Sequence, residues 1–201
     1  MKFVGLVGSN YDQSYNRKLL EFIRRHFKLK FELEVLEIDE VPMFNQDEKW
    51  DESFQLRYLY NKITRADGVI IAPPEHNHTI TASIKSVLEW LSYGIHPLLN
   101  KPVMITGASY GTLGSSRAQL QLRQILDSPE LKANVMPGSE FLLSHSLQAF
   151  DKKGDLIDLD TIKKLDALFD DFRLFVKITQ KLRSAQDLLH KEAENFDWEN
   201  I

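Results

Sequence analysis

The sequence contains no cysteine among its 201 residues. Disulfide bonds, thiolate catalysis and cysteine-based zinc sites are therefore excluded, and any redox chemistry must come from a bound cofactor. Basic residues form no block either, because 25 lysines and arginines stand against 29 aspartates and glutamates, giving a net charge of −4. This mild acidity argues against nucleic acid or an anionic membrane as the main partner.

Long apolar runs are also missing, since none approaches the roughly 20 residues that are needed to span a bilayer. Met1 and Lys2 lead into a short apolar segment that lacks the length of a signal peptide. We therefore expect a cytoplasmic protein with no membrane partner. The content of 43% apolar and 27% charged residues is typical of a globular chain, and the length fits one ordinary domain.

Short apolar runs alternate with amphipathic stretches along residues 1–182. Strand-like runs are predicted at 3–7, 31–38, 69–72, 102–105 and, more weakly, around 135–143. This alternation predicts an α/β fold, in which a parallel sheet carries helices on both faces. A polar second strand favours the doubly wound strand order 2-1-3-4-5. We expect residues 1–182 to form one domain and the charged tail at 183–201 to be helical.

In such a sheet, ligands bind beyond the carboxyl ends of the strands, where the strand order reverses. The loop at 8–16 follows the first strand and offers Ser9, Ser14 and Asn16 beside a helix N-terminus, which favours a phosphate. It lacks both the Gly-Lys-Ser/Thr of triphosphate loops and the further glycines of dinucleotide loops, so a monophosphate fits better. The alternative is that Ser14 only caps the helix.

The loop at 73–79 follows the most apolar strand. Its two prolines fix the backbone, and a fixed backbone suits the donor and acceptor edge of a planar heterocycle such as an isoalloxazine. His76 and His78 could instead bind a metal, although only Glu75 is nearby as a third ligand. A third interpretation leaves the histidines solvated and makes Thr79 a helix cap.

The loop at 107–115 follows the fourth strand, and its three glycines let the backbone approach a ligand closely. It also contains Gly-x-Ser-x-Gly around Ser109, the nucleophile pattern of serine hydrolases. Asp127 and His145 follow in the order such an enzyme needs. A hydrolase would leave the polar character of the first two loops unexplained, so it is kept as an alternative.

Taken together, the three loops resemble the NADPH-dependent FMN reductase family. The resemblance is carried by Gly8-Ser9, Ser14-Tyr15-Asn16, Pro74-Glu75-His76-Asn77 and the segment from Ala108 to Gly114. It covers roughly residues 2–180 and implies a flavodoxin-like fold that assembles as a homodimer or homotetramer. It also implies that NADPH or NADH reduces bound FMN, which then reduces a small acceptor such as a free flavin, quinone, azo compound or metal oxyanion.

The resemblance assigns the FMN contacts to eleven residues. The phosphate would be held by Ser9, Ser14, Tyr15 and Asn16, the ribityl chain and ring by Pro74, Glu75, His76 and Asn77, and the other side of the ring by Ser109, Tyr110 and Gly111. We expect no catalytic side chain and no metal, because the flavin itself carries the chemistry at N5.

Two positions depart from the family pattern, which often has arginine at the position of Tyr11 and tyrosine at the position of His76. Arg17 is nearby in the sequence and is the candidate to replace the missing guanidinium. The other functional alternative is an FMN electron carrier or redox sensor without turnover of its own. Electron-shuttling flavodoxins are commonly far more acidic than this chain, which argues weakly against that role.

Overall fold

The computed structural model describes residues 1–138 and 140–194. Within these residues the chain forms six strands and five α-helices, with one short 3-10 helix. In chain order the elements are β1 (Lys2–Val7), α1 (Tyr15–His26), β2 (Glu32–Leu36), the 3-10 helix (Trp50–Glu52), α2 (Phe54–Arg65), β3 (Gly68–Ala72), α3 (Ala82–Trp90), β4 (Pro102–Ala108), α4 (Ser116–Leu126), β5 (Asn134–Val135), β6 (Phe141–Leu143) and α5 (Leu159–Glu194).

The described strands form one sheet in the order β2-β1-β3-β4-β5, which confirms the predicted doubly wound α/β fold. All of the strand pairings are parallel. From β1 the chain passes to β2 on one side and then to β3 on the other. The strand order therefore reverses between β1 and β3, where such folds bind their ligands.

The fifth strand position is filled by two short strands. β5 pairs with Pro102 and Val103 at the start of β4, whereas β6 pairs with the segment from Thr106 to Ala108 at its end. Between them Gly138 has a φ of +67°, a conformation that glycine adopts without a steric penalty. The weak strand signal around residues 135–143 is thus a strand interrupted by a turn.

The sheet is covered on both faces. Val69 and Ile71 of β3 pack into a hydrophobic cluster with α2, α3 and α4, and Ile70 and Ala72 pack into a second cluster with α1 and α5. Both sets are fully buried, which explains why β3 is a continuous apolar run and not an alternating one. The two layers of helices leave the carboxyl edge of the sheet to the connecting loops.

Helix α5 continues without interruption to Glu194, so residues 183–194 of the predicted tail extend it. Residues 195–201 lie outside the described residues. The division into a domain at 1–182 and a tail at 183–201 stays a prediction. Across the described parts of the chain, every helix is too short or too polar to cross a membrane.

Candidate cofactor site

A pocket of about 350 Å³ lies at the carboxyl ends of β1, β3 and β4. Nine of the eleven predicted residues line it: Ser9, Ser14, Tyr15, Asn16, Pro74, Glu75, His76, Ser109 and Tyr110. Asn77 and Gly111 do not line it, and Tyr11, Ala108 and Ser146 complete the wall. Residues as far apart in sequence as Ser9 and Ser146 therefore meet where the strand order reverses.

The loop after β1 supplies buried hydroxyl groups to this pocket. The Ser14 side chain caps α1 by accepting a hydrogen bond from the Arg17 N–H at 3.3 Å. The Ser9 hydroxyl accepts from the Tyr11 N–H at 3.1 Å. In each case the hydroxyl oxygen acts as acceptor, which leaves its own O–H free to donate. Capping by Ser14 and phosphate binding by Ser14 are therefore compatible.

Asn16 is 3% exposed, and its amide forms a two-bond clasp with the backbone of Ala108. Its Oδ1 accepts from the Ala108 N–H at 2.8 Å, and its Nδ2 donates to the Ala108 carbonyl at 3.2 Å. The clasp ties the first turn of α1 to the end of β4. The predicted contact of Asn16 with the FMN phosphate stays a prediction, because this amide already serves the protein backbone.

Arg17 does not line the pocket, and its guanidinium has other partners. It forms a bidentate ion pair with Glu37, at 2.6 and 2.7 Å, and donates to the carbonyls of Tyr11 and Asp12 at 2.7 and 2.8 Å. The hydrogen bond to Glu37 raises the pKa of Arg17, against the opposing effect of burial. Arg17 therefore holds the loop from outside the pocket, and its replacement of the family guanidinium stays a prediction.

The loop after β3 ends in a tight turn that the sequence did not predict. Asn77 and His78 have φ values of +50° and +67°, and His76 and Thr79 exchange two backbone hydrogen bonds of 3.0 Å across them. This arrangement is that of a two-residue hairpin turn with two left-handed residues. The suggested cap by Thr79 is wrong, because Thr81 caps α3 by accepting from the Ile84 N–H.

Glu75 connects this loop to α4. Its Oε2 accepts from the backbone N–H groups of Arg117 at 3.0 Å and Ala118 at 3.4 Å, and its side chain is 12% exposed. The cap residue Ser115 is left-handed and makes no side-chain capping bond, so the carboxylate takes that role. A negative charge is favourable at a helix N-terminus. Among the described residues no group of three or more histidines, aspartates or glutamates is placed to bind a metal.

The geometry does not support the hydrolase alternative. The Ser109 hydroxyl donates to the Gly111 carbonyl at 3.3 Å. Asp127 caps the C-terminus of α4, which runs back along the sheet for about 16 Å at 1.5 Å per residue. A few residues later, β5 begins beside Pro102 at the start of β4. Asp127 therefore lies towards the amino ends of the strands, whereas Ser109 lies at their carboxyl ends.

Aromatic side chains stand at the mouth of the pocket. Tyr15 and Tyr110 meet edge to face, with ring centroids 5.5 Å apart and an interplanar angle of 85°. Tyr11 and Tyr110 are each more than half exposed. Such rings give a planar ligand an apolar wall, and edge-to-face contact is a favoured arrangement of aromatic pairs.

Sequence reasoning missed the loop after β6. It is held against the loop after β4, because Ser109 donates its N–H to the Leu143 carbonyl and accepts on its own carbonyl from the Ser146 N–H, each at 3.0 Å. The signals in the sequence were the weak strand at 141–143 and His145, which was considered only for a hydrolase, and neither indicated a flavin contact. Ser146 thereby enters the pocket wall without any recognisable motif.

The fold is flavodoxin-like, and its pocket lies at the switch point of the sheet. A family model for NADPH-dependent FMN reductase matches residues 1–148, and the chain belongs to that family.

Two relatives match almost the whole chain. NADH:(hydroxy)cinnamate reductase subunit CrdA of Vibrio ruber is 47% identical over 99% of this chain and 98% of its own length. NADH-dependent flavin reductase subunit 2 of Lactobacillus johnsonii is 44% identical over 90% of this chain and all of its own length. Among solved structures, the NAD(P)H:(acceptor) oxidoreductase FerB of Paracoccus denitrificans superposes with a TM-score of 0.78 at 26% identity, covering 90% of this chain and 97% of that one.

These comparisons confirm the predicted class of function. The protein is an FMN-dependent NAD(P)H oxidoreductase of the flavin and quinone reductase type, with FMN as cofactor and NAD(P)H as co-substrate. Neither the electron carrier nor the serine hydrolase is favoured.

Proposed function

We propose that the 350 Å³ pocket is the FMN site and that the protein passes electrons from NAD(P)H through this FMN to a small acceptor. The observation that carries the proposal is the meeting of three polar loops in one pocket at the switch point of the sheet. Nine of the eleven residues that the family resemblance assigns to FMN line this pocket. FMN, when bound, supplies the hydride chemistry, so the protein has to bind, orient and shield it.

The residues present fit the phosphate group of FMN. Ser9 and Ser14 each retain a hydroxyl donor, and the N-terminus of α1 adds unpaired N–H groups and the positive end of the helix dipole. No lysine or arginine lines the described pocket wall. Neutral donors would therefore carry the phosphate, and they suffice because a helix N-terminus favours an anion without a cationic side chain.

The loop after β3, which we assign to the ribityl chain and ring of FMN, is packed against the loop after β1. The Gly8 N–H donates to the Ala72 carbonyl at 3.0 Å, and a Cβ on Gly8 would come within 2.8 Å of the Pro73 Cα. The loop after β1 therefore contacts the start of the loop after β3. This contact positions the backbone of Pro74 and Glu75 beside the loop that we assign to the FMN phosphate. Pro74 has no N–H to donate, so the Glu75 N–H is the backbone donor that would orient the ring and favour its anionic reduced form.

The acceptor and the assembly form the finer part of the proposal. Relatives are named as flavin, quinone and 2-hydroxy-1,4-benzoquinone reductases, which supports a flavin or quinone as acceptor for this chain. Azo compounds and metal oxyanions remain candidates from the family resemblance. A homodimer or homotetramer would cover the exposed apolar side chains of the loops around the pocket, which are Tyr11, Tyr110 and Leu113. We expect the protein to act in the cytoplasm, where NADH and NADPH are supplied.

The direct test is a fluorescence titration of the apoprotein with FMN, followed by anaerobic addition of NADH or NADPH to the loaded protein. We expect one FMN per chain, bleaching of the flavin absorbance by the nucleotide, and reoxidation by added flavin or quinone. An apoprotein that leaves FMN fluorescence unchanged would contradict the assignment of the pocket. Analytical ultracentrifugation of the loaded protein tests the assembly separately.

A further inference from the structure

Two buried hydroxyl groups in the described part of the chain have no hydrogen-bond partner, Oγ1 of Thr106 and Oγ of Ser146. Both residues are fully buried, with 0% exposure. An unpaired hydroxyl in a protein interior is unfavourable, and most such groups in native proteins are paired. Each of these two groups therefore needs an explanation.

The surroundings of the two hydroxyl groups differ. Thr106 lies within β4 and is not part of the pocket wall. Ser146 lines the pocket together with Ala108 at the end of β4, Ser109 of the loop after β4 and Tyr15 of α1. Of the two residues, only Ser146 belongs to the pocket wall, so only its hydroxyl lies next to the space that a bound ligand would fill.

The backbone around Ser146 is fixed, so this side chain is held at the pocket. Its N–H donates to the Ser109 carbonyl at 3.0 Å, and the His145 N–H donates to the Gly111 carbonyl at 3.1 Å. Next to them, the Ser144 hydroxyl donates to the Thr112 carbonyl at 2.6 Å. These three groups of the loop have partners, whereas the buried Ser146 hydroxyl has none.

We propose that the Ser146 hydroxyl donates a hydrogen bond to bound FMN, which makes the loop after β6 a fourth cofactor-binding segment. The proposal rests on the assignment of the pocket to FMN. Phosphate oxygens, ribityl hydroxyls and ring carbonyls of FMN are all acceptors, so a serine hydroxyl can serve any of them. The hydroxyl then lacks a partner in the apoprotein, where this is unfavourable, and gains one when FMN binds.

The experiment compares Ser146→Ala with the matched control Thr106→Val, since each removes one unpaired buried hydroxyl and nearly preserves shape. Melting of the apoproteins and fluorescence titration with FMN are measured for both variants and for the wild type. Both variants should melt at or above the wild-type temperature, because an unsatisfied group is removed. Only Ser146→Ala should weaken FMN binding, by about tenfold in Kd.

The outcomes separate this proposal from the assignment of the pocket. If the wild type fails to bind FMN, the pocket assignment fails. If the wild type binds FMN and Ser146→Ala binds equally well, the Ser146 contact alone is overturned, and a buried water is then the partner of the hydroxyl. A lower melting temperature of apo Ser146→Ala with unchanged FMN affinity would also overturn it.

Titration with riboflavin locates the contact. If Ser146→Ala weakens FMN but not riboflavin, the hydroxyl serves the phosphate. If both ligands are weakened equally, it serves the ribityl chain or the ring, and either result supports the proposal.

Discussion

Asn16 and Glu75 are both predicted FMN ligands, and the protein uses both side chains to hold its own loops together. The Asn16 clasp is neutral and buried, and it joins α1 to both backbone groups of Ala108. The Glu75 clasp is charged and partly exposed, and it joins the loop after β3 to the first N–H groups of α4. A neutral amide can satisfy two buried backbone groups at low desolvation cost, whereas a carboxylate is tolerated because it keeps contact with water and meets a helix dipole. Both clasps therefore hold residues of the pocket wall in place, the first from a buried position and the second from a partly exposed one.

The largest effect is expected from Asn16→Ala. The substitution leaves the N–H and the carbonyl of Ala108 unpaired in the interior, which should lower the free energy of unfolding by roughly 2–4 kcal/mol. FMN affinity should fall with it, because α1 and β4 are no longer held together at the pocket. Denaturant unfolding and FMN titration measure both effects. The control is Asn61→Ala, an exposed asparagine on α2 that bonds one carbonyl of its own helix. Equal stability of the two variants would contradict the importance of the buried clasp.

A smaller effect is expected from Glu75→Ala. Loss of a capping carboxylate should cost about 1 kcal/mol of stability, and Glu75→Gln should cost less, because an amide oxygen still accepts from the Arg117 N–H. Chemical denaturation of both variants beside an exposed control, Glu40→Ala, checks the order. A loss for Glu75→Ala as large as that for Asn16→Ala would refute the distinction between the buried clasp and the partly exposed one.

Arg17→Met tests whether the Arg17 guanidinium only holds the loop after β1 in place or also contacts the FMN phosphate. The guanidinium is bonded to Glu37 and to two loop carbonyls, so we expect a weakening of FMN binding by about threefold through a loosened loop. The salt dependence of Kd should be the same as in the wild type, because a cation in direct contact with phosphate would be screened and this one is not in contact. Glu37→Gln should give a similar change, and the double variant should be less than additive. A flatter salt dependence in Arg17→Met would place the guanidinium on the phosphate.

The sequence predicted the elements of this fold well and the directions of its side chains poorly. The strand order followed from the alternation of apolar runs and a polar second strand, both of which are local signals. The partner of Asn16 lies 92 residues away, and the partners of Glu75 lie 42 and 43 residues away, so no local pattern could reveal either clasp. Ser146 was missed for the same reason, because its place in the pocket depends on hydrogen bonds to the loop after β4.

The smallest effect is expected from substitutions of His78 in the turn after Glu75. These variants test whether the turn or the Glu75 clasp positions the loop after β3. His78 has a φ of +67°, which is unfavourable for a residue with a Cβ, so His78→Gly should stabilise the apoprotein by about 0.5 kcal/mol. His78 does not line the pocket, and we expect FMN affinity to stay unchanged. His78→Val is the opposing variant, because a β-branched side chain disfavours this conformation and should lower the melting temperature. If affinity follows turn stability across the two variants, the turn positions the loop. If affinity stays constant while Glu75→Ala weakens it, the hydrogen bonds from the N-terminus of α4 to the Glu75 carboxylate hold the pocket wall.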